Sequence, residues 1–303
     1  MTDPPGPSEA SRQRRLGIAY ALAAYVFWGV VSVVYFRAAR HVAPLEVLAH
    51  RVVWAVPLTA ALVWWMGDTE EVRAALTRPR VMSKLTASAV LIAINWMTFI
   101  TAVGSGRILQ TSLGYYMNPL VNVVFGLAFL GERLTRAQWW SVTLAGVGTA
   151  YLAVSAGEPP WIALILAFSF GAYGLLRKTV EVGSIAGQFL ETAVLTPIAL
   201  TFLAVAVRRG DAAFAHGDLG TRALLIGAGA VTATPLMWFA SAARRLPYST
   251  IGLLQYVAPS LSFVLAVTVF DEPVTPAHRV TFACIWAALA LFTVDLWRRR
   301  SAV

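Results

Sequence analysis

One cysteine in 303 residues, Cys284, excludes an intrachain disulfide and any metal site built from thiolates. Charge is scarce as well: Asp, Glu, Lys and Arg make up 13% of the chain, against roughly 25% in a soluble domain. A water-soluble enzyme does not fit that composition. No GxxxxGK[ST] loop is present, which leaves direct ATP drive without support, and neither an HExxH helix nor a GxSxG elbow occurs. No cofactor is implied. What the chain has in abundance is apolar side chains, 58% of the total. The charges bunch between apolar runs of about twenty residues, the length an α-helix needs to cross the roughly 30 Å hydrocarbon layer of a bilayer. The net charge of +9 lies largely in short segments beside those runs, where it fixes orientation in a lipid bilayer, so no nucleic-acid partner is expected.

These runs predict an all-α integral membrane protein with ten transmembrane helices, near 16–36, 43–66, 84–103, 108–130, 136–154, 158–176, 184–207, 222–243, 248–270 and 276–297. Residues 1–15, with three prolines, read as a short disordered cytoplasmic tail, and 298–303 as a basic cytoplasmic tail. With both termini cytoplasmic, sixteen of the 24 basic residues lie inside and seven outside, Arg51 alone falling within a span. The expected location is the cytoplasmic membrane, as a monomer or a homodimer.

Shifted by 140 residues, the chain aligns with itself. Pro57 falls on Pro197, Phe99 on Phe239, Leu113 on Leu253, Tyr116 on Tyr256, Pro119 on Pro259, Glu132 on Glu272 and Thr135 on Thr275. The halves, 16–154 and 158–297, each hold five predicted spans, an odd number, so the second enters the membrane with opposite polarity. Inverted-topology repeats are a signature of secondary transporters with a site near the midplane, and matching interrupted helices are the best sequence pointer to it. Pro119 and Pro259 lie in the middle of the fourth and ninth spans, where each frees the carbonyl four residues earlier, at Tyr115 and Gln255. Tyr116 and Tyr256 share their helix faces. Asn95, Trp96 and Phe99 in the third span, with Trp238 and Phe239 in the eighth, complete the candidate pocket. Aromatic walls with a few amides suit a small organic solute, amphipathic or cationic.

Ionisable groups within spans are costly and are functional candidates by default. Glu46, His50 and Arg51 cluster early in the second span, with Glu46 and His50 spaced to form a local ion pair. Glu191 lies about 10 Å into the seventh span by the helical rise, at the position equivalent to Arg51. If transport is proton-coupled, Glu191 is the expected carrier, although a structural ion pair also accounts for it. Thr135 with Gln138 reads as a capping box, and Thr275 before Pro276 as an N-cap.

The segments SLGYYMNPLVNVVFGLAFLGERLT (112–135), HRVVWAVP (50–57), NWMTFITAV (95–103), LAFSFGAYGLLRK (166–178) and LLQYVAPSLSFVLAV (253–267) resemble the RarD branch of the drug/metabolite transporter superfamily, the chloramphenicol-sensitivity proteins. The resemblance extends over nearly all of 16–297. It implies two EamA-type five-helix repeats and a central cavity lined by helices three, four, eight and nine, through which small molecules are exported or exchanged. Its cavity positions would be Asn95, Trp96, Tyr116, Asn118, Gln255 and Tyr256. The branch takes its name from a drug phenotype, which does not identify a substrate. The reading is a secondary transporter of metabolites or drugs working by alternating access; the alternative is a membrane enzyme or scaffold acting on lipid-linked substrates.

Overall fold

In the computed structural model, residues 7–298 are described, except 106, 156, 158 and 271–273. Among them no strand occurs. The chain opens with α1 (Pro7–Val26), passes through a π-helical turn at Phe27–Ser32 into α2 (Val33–Ala38), and turns at Ala39–His41. Next come α3 (Pro44–Met66), a short α4 (Thr69–Leu76), α5 (Pro79–Gly104), α6 (Ile108–Leu130), α7 (Arg136–Ser155) and α8 (Trp161–Thr179). The remainder is α9 (Ser184–Arg209), a single turn α10 (Ala213–His216), α11 (Leu219–Ala243), α12 (Tyr248–Gln255), α13 (Val257–Val269) and α14 (Pro276–Arg298).

Among the described residues, nine helices are long and apolar enough to cross a membrane. The first runs through the π-turn as one span, Glu9–His41, and α12 with α13 forms another, Tyr248–Val269. The helix expected at 136–154 is present as α7, but it is not among the nine. Its sequence, RAQWWSVTLAGVGTAYLAVS, dilutes the apolar side chains with glycine, hydroxyl and indole groups. It is held instead by close packing: α7 lies along α14, where a Cβ added at Gly148 would press on Cys284 and Thr281.

The expected disordered tail is corrected by the structure, since the first helix already begins at Pro7. Glu9 accepts from Gln13 at 2.8 Å one turn on, and Gln13 in turn accepts from Arg245 at 3.0 Å, which ties this segment to the end of α11. Residues 1–6 and 299–303 of the two expected tails lie outside the described residues.

The two central prolines act differently. Pro119 sits inside a continuous α6, whereas the helix around Pro259 breaks at Tyr256 into α12 and α13. The expectation of two matching interruptions therefore holds for one. The break packs against the π-turn. There a Cβ at Gly29 would run into the Ala258 carbonyl, and the Gly29 carbonyl accepts from Ser262 at 3.1 Å. A π-turn widens the helix and exposes a carbonyl, which Ser262 satisfies.

Helix ends are closed by side chains. Thr135 and Gln138 make the expected reciprocal capping box at α7, at 3.0 and 3.1 Å, and Thr275 Oγ1 accepts from His278 N at α14. Glu132, in the loop between α6 and α7, receives the Tyr248 and Ser249 N–H groups and so caps α12; its counterpart Glu272 lies outside the described residues. Asp218 caps α11 through Thr221 N at 2.7 Å. Trp64 and Trp65 at one end of α3, Trp139 and Trp140 at the start of α7, and Trp161 at the start of α8 are all exposed, as in the aromatic belts of membrane interfaces.

Candidate functional site

The charges inside the spans separate into three groups. Near the start of α3, Glu46 accepts from the backbone N–H groups of Ala213 and Phe214, both at 2.9 Å, and so caps α10. His50 lies beside it, with Nε2 3.8 Å from Glu46 Oε1, beyond hydrogen-bond distance. Trp54 can only donate, and its indole N–H reaches His50 Nδ1 at 3.1 Å, so the proton of a neutral ring sits on Nε2, facing Glu46. The His50 ring also lies 4.9 Å from that of Phe214. Both side chains are buried and serve to anchor the loop before α11.

Glu191 does not meet Arg51. It accepts from Ser88 of α5 and lies 3.6 Å from Arg177 Nε of α8. Arg177 is fully buried, with Nη2 donating to the carbonyls of Gly183 and Ser184 at 3.2 and 3.1 Å. In the sequence it stands just past the predicted span 158–176, among the loop charges, and the structure pairs it with a span carboxylate. Its neighbours are also occupied. Lys178 donates to the Ala243 and Leu246 carbonyls at 2.8 and 2.6 Å, closing the end of α11, and Arg244 donates to Val182 O.

Arg51 stands where several helices converge. Its Nε donates to Thr232 Oγ1 of α11 at 2.7 Å, and its guanidinium carbon lies 4.6 Å from the Trp96 ring centre of α5 and 5.0 Å from that of Phe36 of α2. Tyr35 of α2 and Tyr115 of α6 lie within its electrostatic reach. Phe99 meets the Tyr115 ring at 5.9 Å. Rings attract a cation, by up to about 2 kcal/mol when desolvated, but carry no net charge to neutralise it. Among the described residues no carboxylate lies within 4.0 Å of Arg51. Tyr115 of α6 is 49% exposed. Along the bundle α5 packs on α8 and α9, and α11 on α1 and α3, while α5 and α11 are not laid along one another.

The other expected pocket residues are packed. The Asn95 amide donates to Leu166 O at 2.8 Å and Ser169 Oγ at 3.1 Å, facing α8. Tyr116 is buried edge-on to Phe282 of α14, and Tyr256 is buried with its phenol donating to Tyr116 O at 3.1 Å. Asn118 and Pro119 are buried, and Asn118 Oδ1 has no hydrogen-bond partner among the described residues. Gln255 accepts from Asn122 at 2.7 Å. Pro259 is partly buried beside the π-turn. Trp238 stands edge-on to Phe27 at 5.8 Å, and Phe239 is stacked on Tyr173 within an aromatic core that includes Trp28 and Phe170. Of the expected pocket, only Trp96 and Phe99 therefore join Arg51. Tyr35, Phe36, Tyr115 and Thr232 complete the cluster; their signal, aromatic and hydroxyl groups amid apolar runs, is common to any packed helix. A separate cleft of about 380 Å³ lies between the end of α7 and the start of α14, lined by Tyr151, Ser155, Thr275 and His278, away from this cluster.

The profile of the EamA-like transporter family matches residues 15–154. An uncharacterized transporter of Vibrio cholerae is 43% identical over 92% of both chains. Protein RarD of Streptomyces exfoliatus is 39% identical over 97% of this chain and 93% of its own, and protein RarD of Escherichia coli 41% identical over 94% and 96%. A solved crystal structure with 18% identity superposes with a TM-score of 0.68 over 92% of this chain and 97% of that one, a likeness of fold. Near-complete coverage at such identities, together with the all-helical bundle, makes this chain a multi-pass membrane transporter belonging to the RarD branch of the drug/metabolite transporter superfamily.

Proposed function

We propose that the protein is a secondary carrier of the cytoplasmic membrane that exports small organic molecules by alternating access, binding them at the cluster around Arg51. The observation that carries this reading is the guanidinium itself. It is placed about 10 Å into α3 by the helical rise and joins α3 to α11 and α5 through Thr232 and Trp96. A charge in that setting is retained for a function that needs it.

In this reading α7 is counted with the nine apolar spans to give ten crossings, grouped as two inverted five-helix repeats, 16–154 and 158–297. The contact of Gln13 with Arg245 and that of Thr135 with Asp295, at 3.3 Å, support placing both chain ends at one face; the excess of basic residues there favours the cytoplasm. Proton coupling has a candidate in Glu191: protonation would remove the partner of Arg177 and loosen the tie between α8, α9 and α5.

The test is uptake into proteoliposomes. Solute accumulation that follows an imposed gradient and shows saturable countertransport is the expected result. Product formation from a lipid-linked substrate without a gradient would replace the carrier by the enzyme reading. Because Glu191 has a buried partner, Glu191→Gln must be scored for folded fraction as well as for proton flux, and unchanged proton flux in folded protein removes the coupling role.

A further inference from the structure

Resting on the carrier reading, we infer that the solute is an organic anion, an aromatic or amphipathic carboxylate whose charged end is held by Arg51. Glu46 is committed to the Ala213 and Phe214 N–H groups and to His50, and Glu191 to Ser88 and Arg177. Neither span carboxylate serves Arg51. The guanidinium uses Nε on Thr232, and this is its one hydrogen bond among the described residues, which leaves the two terminal nitrogens without a protein acceptor.

Those two nitrogens form the end-on fork of the guanidinium, a planar pair of donors that matches the two oxygens of a carboxylate. Thr232 holds Nε at 2.7 Å, which restrains the guanidinium before any ligand arrives. Trp96 and Phe36 flank the cation at 4.6 and 5.0 Å, which lowers the polarity around it and strengthens its hold on an anion. Tyr115, half exposed and edge-on to Phe99, offers an aromatic wall for the apolar part of the same molecule. A cationic solute, one of the classes the aromatic content alone allowed, would meet a fixed like charge here. An uncharged solute would leave the guanidinium unpaired.

The experiment compares matched probes on the purified full-length protein in detergent at pH 7: indole-3-acetate, its uncharged amide and cationic tryptamine, with benzoate and benzamide as a second pair. Binding is read by calorimetry and by thermal shift. The expected result is that at least one carboxylate binds about tenfold or more tightly than its amide, that tryptamine does not compete, and that Arg51→Gln erases the preference. Arg51→Lys, which keeps the charge and loses the fork, should retain part of it. Equal binding of amide and carboxylate, absence of binding by every carboxylate in the set, or an undiminished preference in Arg51→Gln would overturn the proposal. The comparison of carboxylate with amide on the unaltered protein holds even if Arg51→Gln fails to fold. If gradient-driven uptake of some solute is observed but anions neither compete nor bind, the carrier reading stands and this inference fails. If anions bind but no gradient drives uptake, the reverse holds.

Discussion

The phenol of Tyr256 donates to the main-chain carbonyl of Tyr116 at 3.1 Å, and the two residues are 140 positions apart, the interval at which the sequence aligns with itself. Equivalent positions of the two halves thus touch directly, next to Pro119 on one side and the helix break at Tyr256 on the other. Pro119 frees the carbonyl of Tyr115, and the bond from Tyr256 falls on the next carbonyl of the same turn, where it ties the two halves together.

Tyr256→Phe should lower stability modestly, by about 0.6 kcal/mol as for other hydrogen bonds between membrane helices, with solute affinity unchanged. Thermal unfolding in detergent alongside a binding isotherm checks both. A large loss of affinity would return Tyr256 to the binding site.

At the crossing of α3 and α11, a Cβ added to Gly229 would occupy the space of the Trp54 and Ala55 backbone. Backbone cannot yield as a flexible side chain can. Gly229→Ala should therefore destabilise the bundle by about 1–3 kcal/mol, the usual range for overpacking. Since this crossing also sets Thr232 against Arg51, solute affinity should fall with it. Gly227, two residues earlier and facing open space, is the control: Gly227→Ala should leave both measurements near those of the unaltered protein.

Glu191 and Arg177 are both buried, so removing one strands the other. Glu191→Gln and Arg177→Met should each cost about 3–5 kcal/mol, while the double variant Glu191→Leu with Arg177→Met should recover much of that loss. A double variant less stable than either single change would show that the pair contributes more than mutual neutralisation.

Glu46 holds the turn before α11 through two hydrogen bonds from the backbone. Glu46→Gln exchanges a charged acceptor for a neutral one, a loss of about 1.5 kcal/mol, which should speed amide exchange at Ala213 and Phe214 roughly tenfold. Exchange elsewhere in α11 should stay as it was, and a global rise would mean that the contact stabilises the whole bundle.

Much of the fold was legible because a bilayer admits few solutions: every backbone group must bond within its own helix, so each apolar run of sufficient length reads as a helix. Hence α3, α6, α9 and α14 lie within a few residues of expectation, and the capping box at Thr135 was visible from two residue types three positions apart. The π-turn at Phe27–Ser32 left no such mark. It exists because α13 presses on Gly29 and Ser262 takes its carbonyl, contacts separated by more than 200 residues.

The site followed the same division. Composition and apolar spacing alone determined a membrane protein with few embedded charges, and thereby singled out Arg51 and Glu191. Which partner each charge takes was decided only in three dimensions. Arg177 reads as a loop residue in the sequence, yet it is folded inward against Glu191, whereas Arg51 is left to rings and a hydroxyl. The physical reason is reach. Helix periodicity specifies which face a side chain occupies, but pairing between helices depends on their rotation and depth, which packing at residues such as Gly229 and Gly148 sets across the whole chain.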